Sequence, residues 1–333
     1  MRAIELVEHG GPEVLKAVET EAPEPGPGQV SIDVAYAGVN FADVLARADG
    51  YRVEALPYRP GLEVSGRVRA LGPGVTGLAV GQEVTALTGG GGAYAEVAVA
   101  EAVTVFPLPP GVGMRTAATL PTVLPTAYAL VHTVGRLQAG ETVLVHAAAG
   151  GIGTAVGQLA KAAGAAAVYG TVSSPAKAAY ARSYGYDDVL VGDFKEDAAG
   201  LEKAVRETTG GRGVDLALDP VGGESLKGSL AALAVFGRLV SYGNAGAAEP
   251  WRVGQPDLAP TGNAVGAFSV LTLARTAPDA LRALAERAFA KVADGTVTLP
   301  VTAEFALADA AEAHRLMSSR ASTGKLLLKV AAG

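Results

Sequence analysis

The residues of this chain best suited to binding chemistry are glycines. Gly150, Gly151 and Gly153, with Ala149 and Ile152 beside them, lie in the run TVLVHAAAGGIGTAVGQLAKAAG, residues 142–164. Val143, Leu144, Val145 and Ala147 are apolar, as a strand covered on both faces requires. Val156, Leu159 and Ala160 then recur at helical spacing. In a strand–turn–helix context, glycines let the chain turn tightly, let a pyrophosphate approach the backbone and let the helix pack close to the strand. The helix N-terminus adds free N–H groups and a partial positive charge. The fit to G-x-G-x-x-G is imperfect, because Ala148 holds the first glycine position ahead of Gly150 and Gly153; the flanking elements make dinucleotide binding the expected role.

The next strand, read over Ala166–Thr171, decides which dinucleotide. An Asp or Glu at its end would grip the ribose 2′-hydroxyl of NAD. Here the chain continues Val172, Ser173, Ser174, Pro175, Ala176, Lys177, with no carboxylate. Ser173, Ser174 and Lys177 can donate to a 2′-phosphate that a carboxylate would repel. Ser174 also reads as the cap of a helix with Pro175 at its first position, and both roles can hold together. NADPH is therefore favoured over NADH.

These residues need a scaffold, and the 333-residue chain is long enough for two domains. Residues 1–120 read as β-rich, with short runs at Gln29–Val34, Val64–Ala70 and Tyr94–Val99 between Gly/Pro turns. From 121 to 271 strands alternate with helices, the mark of a parallel sheet. The strands are read at Thr142–Ala147, Ala166–Thr171, Asp188–Val191, Val214–Asp219, Gly237–Gly243 and Val265–Leu271. From 272 to 333 a helix at Pro278–Asp294 and a strand at Lys325–Val330 return to the first domain. The net charge of −6 and the lack of a basic run argue against a nucleic-acid surface. With no cysteine there is no disulfide, thiolate nucleophile or sulfur-bound zinc. No run of about 20 apolar residues predicts a membrane span, and the N-terminus lacks a signal-peptide core, so a cytoplasmic protein is expected.

The chain resembles the medium-chain dehydrogenase/reductase superfamily, and within it the zinc-independent quinone oxidoreductases related to ζ-crystallin. The resemblance spans essentially the whole length. It rests on Gly38-Val39-Asn40-Phe41-Ala42-Asp43, on residues 60–66 (PGLEVSG), on Val80-Gly81-Gln82-Glu83-Val84, on residues 146–153 and on residues 319–325 (SRASTGK). It implies an α/β protein: a GroES-like β-rich catalytic domain (1–120 and 272–333) plus a Rossmann doubly wound parallel-sheet cofactor domain (121–271). Zinc-dependent relatives carry a cysteine where this chain has Asn40 and a histidine where it has Leu62. The four histidines, His9, His132, His146 and His314, lack ligand spacing, so no metal is expected.

By the same resemblance, Asn40 and Tyr51 align near the nicotinamide, where either could donate to an acceptor oxygen. Thr126, read as preceding a helix, either contacts the nicotinamide carboxamide or caps that helix. Tyr242, Gly243 and Asn244 close the fifth strand, where such sheets form their ligand crevice. Arg320 aligns with an arginine that reaches the cofactor. One departure is Asp193, in Val191-Gly192-Asp193-Phe194, where related enzymes often place a tyrosine beside the 2′-phosphate. The function implied is NADPH:quinone reduction. An enone or alkenal double-bond reductase uses the same scaffold, and a non-catalytic NADPH-binding protein is the reading of another class. A homodimer through the last Rossmann strand, 265–271, is expected, because an unpaired apolar edge invites pairing.

Overall fold

The structure, a computed structural model, describes residues 1–330. The chain divides into two compact units, Met1–Pro125 joined by the segment from Val270 onward, and Thr126–Ser269.

The first unit opens with β1 (Arg2–Glu5) and β2 (Lys16–Glu19), an antiparallel pair. β3 (Gln29–Val39) follows, then α1 (Phe41–Asp49), β4 (Glu63–Leu71), β5 (Glu83–Leu87), β6 (Val97–Glu101) and β7 (Val105–Pro107). β3 runs five residues past the end expected from its Val/Ile content, through Ala35-Tyr36-Ala37-Gly38-Val39. Pairing with β4 along that stretch supplies what local propensity does not. After the short α2 (Met114–Ala117) comes α3 (Leu120–Tyr128). Pro125 lies inside α3, so it does not mark a helix start, and Thr126 is an interior, buried helical residue. The expectation that Thr126 precedes a helix is corrected. A proline inside a helix removes one ladder bond, and the chain passes directly into a π-turn at Ala129–Thr133.

The second unit holds β8 (Thr142–Val145), α4 (Gly151–Ala162), β9 (Ala167–Val172), α5 (Pro175–Arg182), β10 (Asp188–Val191), α6 (Ala198–Thr208), β11 (Val214–Asp219), α7 (Gly223–Ala231), β12 (Leu233–Ser241), the short α8 (Gln255–Leu258) and β13 (Ala264–Ala267). The six strands order β10-β9-β8-β11-β12-β13, and each neighbouring pair is parallel. The order reverses between β8 and β11, the point at which a doubly wound sheet opens a ligand crevice at its carboxyl edge. Leu144, Val214, Ala217 and Leu239 of the sheet pack with Leu201, Val205 and Leu226 of the helices. β12 begins four residues earlier than Gly237 suggested, passing through an irregular stretch where Phe236 takes φ 63°. β13 ends at Ala267, short of the expected Leu271. Val270 and Leu271 are instead the buried first turn of α9 (Val270–Thr276), a short apolar run whose period alone could not separate strand from helix.

α9 and α10 (Pro278–Ala293) return the chain to the first unit, followed by β14 (Val301–Ala306), α11 (Ala310–Ser318) and β15 (Lys325–Lys329). The resulting sheet runs β14-β15-β3-β4-β5-β7. β6 and β15 share one edge of β3, β6 along Gln29–Asp33 and β15 along Tyr36–Val39. Val30, Ile32 and Val34 pack with Leu307, Leu326 and Leu328 beneath it. Among the described residues, no helix is long and apolar enough to cross a membrane.

Candidate functional site

In the second unit the turn from β8 to α4 lies at the reversal of strand order. Gly150 is the N-cap of α4 and contributes no side chain to it, so the N–H groups of the first turn lack intrahelical partners. Gly153 has no alternative: a Cβ there would lie 2.5 Å from the Ala147 carbonyl oxygen and 2.6 Å from that of Ala148. The Gly153 carbonyl in turn accepts from the Tyr186 hydroxyl at 2.7 Å. The turn through Ala149, Gly150, Gly151 and Ile152 thus leads into a helix N-terminus with the polarity an anionic pyrophosphate requires.

The end of β9 carries no carboxylate. Ser173 is exposed and Ser174 caps α5, accepting from the Lys177 N–H at a long 3.4 Å. Asp193 stands two residues beyond β10, exposed, with Oδ1 accepting from the Lys195 N–H at 3.4 Å. Past β12, Tyr242 donates its N–H to the Asp219 carbonyl at 2.9 Å. The Asn244 side chain closes its own loop, donating to Ala248 O at 2.7 Å and accepting from Ala248 N at 3.2 Å. Gly243 and Asn244 are exposed.

Below this edge lies His146, one residue past β8 and buried. Its Nδ1 pairs with Thr171 Oγ1 at 2.8 Å and its Nε2 with Ser229 Oγ at 2.7 Å. Burial lowers its pKa, with Asp219 opposing, so it stays neutral. Asp219 Oδ2, 4.0 Å from Nε2, is held by other donors: the N–H groups of Val221 (2.6 Å) and Gly222 (2.7 Å) bond Oδ1, and Ser225 Oγ (2.7 Å) bonds Oδ2. This histidine is a strut joining β8, β9 and α7.

In the first unit Asn40 stands between β3 and α1. Its position is that of a helix cap, yet its side chain makes no cap hydrogen bond; its N–H donates to Asp43 Oδ2 at 2.8 Å. The carboxamide turns instead to two charged residues. Nδ2 donates to Glu63 Oε1 at 2.9 Å, and Oδ1 accepts from Lys325 Nζ at 2.8 Å. Lys325 and Glu63 are themselves paired at 2.6 Å, at 3% and 0% side-chain exposure. Lys325 Nζ also donates to Val39 O at 3.2 Å, and Glu63 Oε2 accepts from the Thr122 N–H at 2.8 Å. Room for Glu63 depends on Gly38, where a Cβ would lie 2.3 Å from Oε1. A second buried group adjoins this one. Asp43 Oδ1 accepts from the Gly61 N–H at 3.2 Å, Oδ2 lies 3.3 Å from the Tyr94 hydroxyl, and that hydroxyl lies 3.1 Å from His314 Nε2. Burial pushes the Asp43 carboxyl up to about 7 and, with nearby Arg47, pulls His314 down to about 3.

Tyr51 follows the Gly50 C-cap of α1, so the helix separates it from Asn40 by roughly 14 Å of rise. It is half exposed, and its hydroxyl accepts from Arg52 Nε at 3.1 Å. Arg320, two residues past α11, is exposed with φ 58°. Asn40, Tyr51 and Arg320 belong to one unit; Thr126, the glycine turn, Ser173, Ser174, Lys177 and Tyr242–Asn244 belong to the other. A cleft of about 400 Å³ beside β1 and β14, lined by Ile4, Phe305, Leu307 and Val330 among others, contains none of these residues.

Sequence reasoning passed over Glu63 and Lys325. Both lie in segments it singled out; the strand KLLLK has a lysine at each end, and only the structure shows that Lys325 is buried while Lys329 is exposed. Leu62 offers no donor atom, and Glu63 is committed to Lys325, Asn40 and Thr122. Among the described residues no group of three or more His, Cys, Asp or Glu could hold a metal ion, so the donors present do not fit one.

Comparison with known proteins finds matches along the whole chain. The family model described as Zinc-binding dehydrogenase matches residues 151–286, and that described as Alcohol dehydrogenase GroES-like domain matches residues 26–110. A quinone oxidoreductase of Pseudomonas aeruginosa is 35% identical over 327 residues, covering 98% of this chain and 99% of that protein. The crystal structure of Escherichia coli quinone oxidoreductase complexed with NADPH is 32% identical with a TM-score of 0.89, over 99% of this chain and 100% of that one. Phthioceranic/hydroxyphthioceranic acid synthase of Mycobacterium tuberculosis is 34% identical over 311 residues, which are 92% of this chain and 14% of that protein.

Proposed function

The chain belongs to the medium-chain dehydrogenase/reductase superfamily, on its quinone-oxidoreductase-like side, and from that premise we propose that it is a zinc-independent NADPH-dependent oxidoreductase whose acceptor is a quinone. The observation that carries the reading is near full-length likeness to quinone oxidoreductases, with the glycine turn intact at the sheet's reversal point.

When bound, NADPH supplies a hydride, and the balanced reaction adds one proton to give hydroquinone and NADP⁺. The chain's own groups bind and orient. The first-turn N–H groups of α4, with Ala149–Gly153, hold the pyrophosphate. Ser173, Ser174 and Lys177 hold the 2′-phosphate, which the missing carboxylate leaves unopposed. Within the 126–269 unit, Thr126, Tyr242, Gly243 and Asn244 contact the rest of the cofactor, Asn244 through its backbone because its side chain is occupied; Arg320 is assigned to the cofactor by the family resemblance alone. Asn40 or Tyr51 donates to the acceptor oxygen as negative charge develops there. Most of the rate gain then comes from alignment of the reactants, and the proton comes from solvent.

The enone reductase reading is the second, favoured by the likeness of nearly all of this chain to a small part of larger proteins, among them a mycocerosic acid synthase-like polyketide synthase of Mycolicibacterium smegmatis. A homodimer is proposed through β13, which among the described residues pairs with β12 alone and so leaves one edge open; a monomer at micromolar concentration would overturn it. The deciding test is NADPH oxidation by chelator-treated protein with an ortho-quinone, an enone and an NADH control. Quinone turnover with NADPH supports the proposal. Enone turnover alone transfers it to double-bond reduction, and tight NADPH binding without turnover makes the protein a binder.

A further inference from the structure

Asn40 is held in a way that capping a helix does not require. Its carboxamide could sit in either of two flipped orientations, and its partners choose one. Lys325 Nζ has only hydrogens to give, and Glu63 Oε1 only lone pairs. Lys325 therefore selects the carbonyl oxygen at 2.8 Å and Glu63 the amide nitrogen at 2.9 Å. A flipped amide would set N–H against ammonium and carbonyl against carboxylate. One Nδ2 hydrogen and one Oδ1 lone pair remain for a ligand.

The two charged residues have little else to do. The three hydrogens of Lys325 face Val39 O, Asn40 Oδ1 and Glu63 Oε1, so it has no proton to pass outward. Burying an ion pair this deeply is a poor way to gain stability, since desolvation offsets the attraction. The pair also rests on an arrangement that makes room for it: Gly38 lacks the side chain that would collide with Glu63, and the Thr122 N–H fixes the second carboxylate oxygen. The end of β3 and the starts of β4 and β15 bring Asn40, Glu63 and Lys325 together at one amide.

We propose that Lys325 and Glu63 are positioning residues that lock the Asn40 carboxamide in a single orientation, so that it presents one fixed donor and one fixed acceptor to a conjugated carbonyl group. This deepens the function proposed above and rests on it for the identity of that carbonyl, which is either the nicotinamide carboxamide or the acceptor's own. The alternative is that the pair only ties together the ends of β3, β4 and β15.

A thermodynamic cycle separates the two. Replacing Lys325 alone would strand a buried carboxylate, so the pair is replaced together as Glu63→Met/Lys325→Met. This is combined with Asn40→Ala in four proteins: wild type, Asn40→Ala, the paired variant and the triple variant. Each is measured for thermal midpoint, for NADPH dissociation constant by nicotinamide fluorescence, and for KM and kcat with an ortho-quinone and an enone. The expected result is a loss of at least tenfold in kcat/KM or in NADPH affinity for both Asn40→Ala and the paired variant, with the triple variant no worse than Asn40→Ala. A change in NADPH affinity assigns the carbonyl to the nicotinamide; a change confined to acceptor KM or kcat assigns it to the acceptor. If the two losses multiply in the triple variant, or if Asn40→Ala moves no ligand readout, the proposal is overturned. If wild type turns over neither acceptor, the function reading has failed, and the same cycle read on NADPH affinity alone still decides the positioning role.

Discussion

His146 and His314 are both enclosed by the chain, and their surroundings are opposites. In the 126–269 unit, both ring nitrogens of His146 are bonded, and the neighbouring Asp219 carboxylate takes three short bonds of its own. In the other unit, His314 is held through Nε2, by a 3.1 Å contact to Tyr94, while its Nδ1 and the Nε and Nη1 of nearby Arg47 have no hydrogen-bond partner among the described residues. A fully satisfied buried network is rigid and expensive to break, whereas a partly satisfied one has already met much of its desolvation cost. The first network therefore acts as a strut one residue before the glycine-turn loop. The second is loose, and its charge state depends on pH.

The largest effect expected from this contrast is at Asp219. Asp219→Ala leaves the N–H groups of Val221 and Gly222 and the Ser225 hydroxyl without their acceptor, and should cost about 3–5 kcal/mol in urea unfolding. A loss below about 1 kcal/mol would mean that the strut is not tight. The sharper comparison is between the histidines. His146→Leu should cost about 2–3 kcal/mol, because it orphans Thr171 and Ser229, and His314→Leu about 1 kcal/mol or less. Equal costs would erase the distinction.

Titration should separate them again. Asp43 is raised to about 7, mainly by burial, from an unfolded value near 3.9. Its contribution to stability is fully present below pH ~4 and is lost as pH rises to ~7. His314 is lowered to about 3, mainly by burial. Between pH ~3 and ~6.5 only the unfolded chain binds its proton, so this contribution grows as pH rises. The two slopes oppose each other in the wild type over pH ~4–6.5, each at most about 1.4 kcal/mol per pH unit. His314→Leu should therefore make stability fall more steeply with rising pH than in wild type, and Asp43→Asn should make it rise more steeply. Unfolding midpoints taken at intervals across that window check both signs; the same sign in both variants would refute the assignment. His146 is common to all three proteins and drops out of the differences.

Much of this was legible in the sequence wherever the signal was local. The glycine turn, the six parallel strands and the Ser174–Pro175 helix start each occupy a short window, and β10 and β11 fall on their expected residues. What escaped is non-local. Glu63 and Lys325 meet Asn40 from 23 and 285 positions away, and no spacing rule links them. Thr126 was read as preceding a helix, whereas α3 begins six residues earlier at Leu120, in a run buried through Ala127. The pairing that extended β3 and the helix that truncated β13 are likewise tertiary outcomes that override ambiguous apolar patterns.

An effect as small as that of His314→Leu is expected at Tyr94, the link between Asp43 and His314. Tyr94→Phe keeps the ring, which packs edge-on against His314 with centroids 5.8 Å apart and angled at 86°. It removes only contacts of 3.1 and 3.3 Å, both at the long end for a hydroxyl. His314 would lose its remaining bond, but Asp43 would retain the N–H groups of Asn40 and Gly61. The cost at pH 8 should be about 1 kcal/mol, near the mean for a single hydrogen bond and well below that of His146→Leu. A Tyr94→Phe cost as large as that of His146→Leu would show that the two networks are equally tight and that the unpartnered atoms of the second carry no energetic meaning.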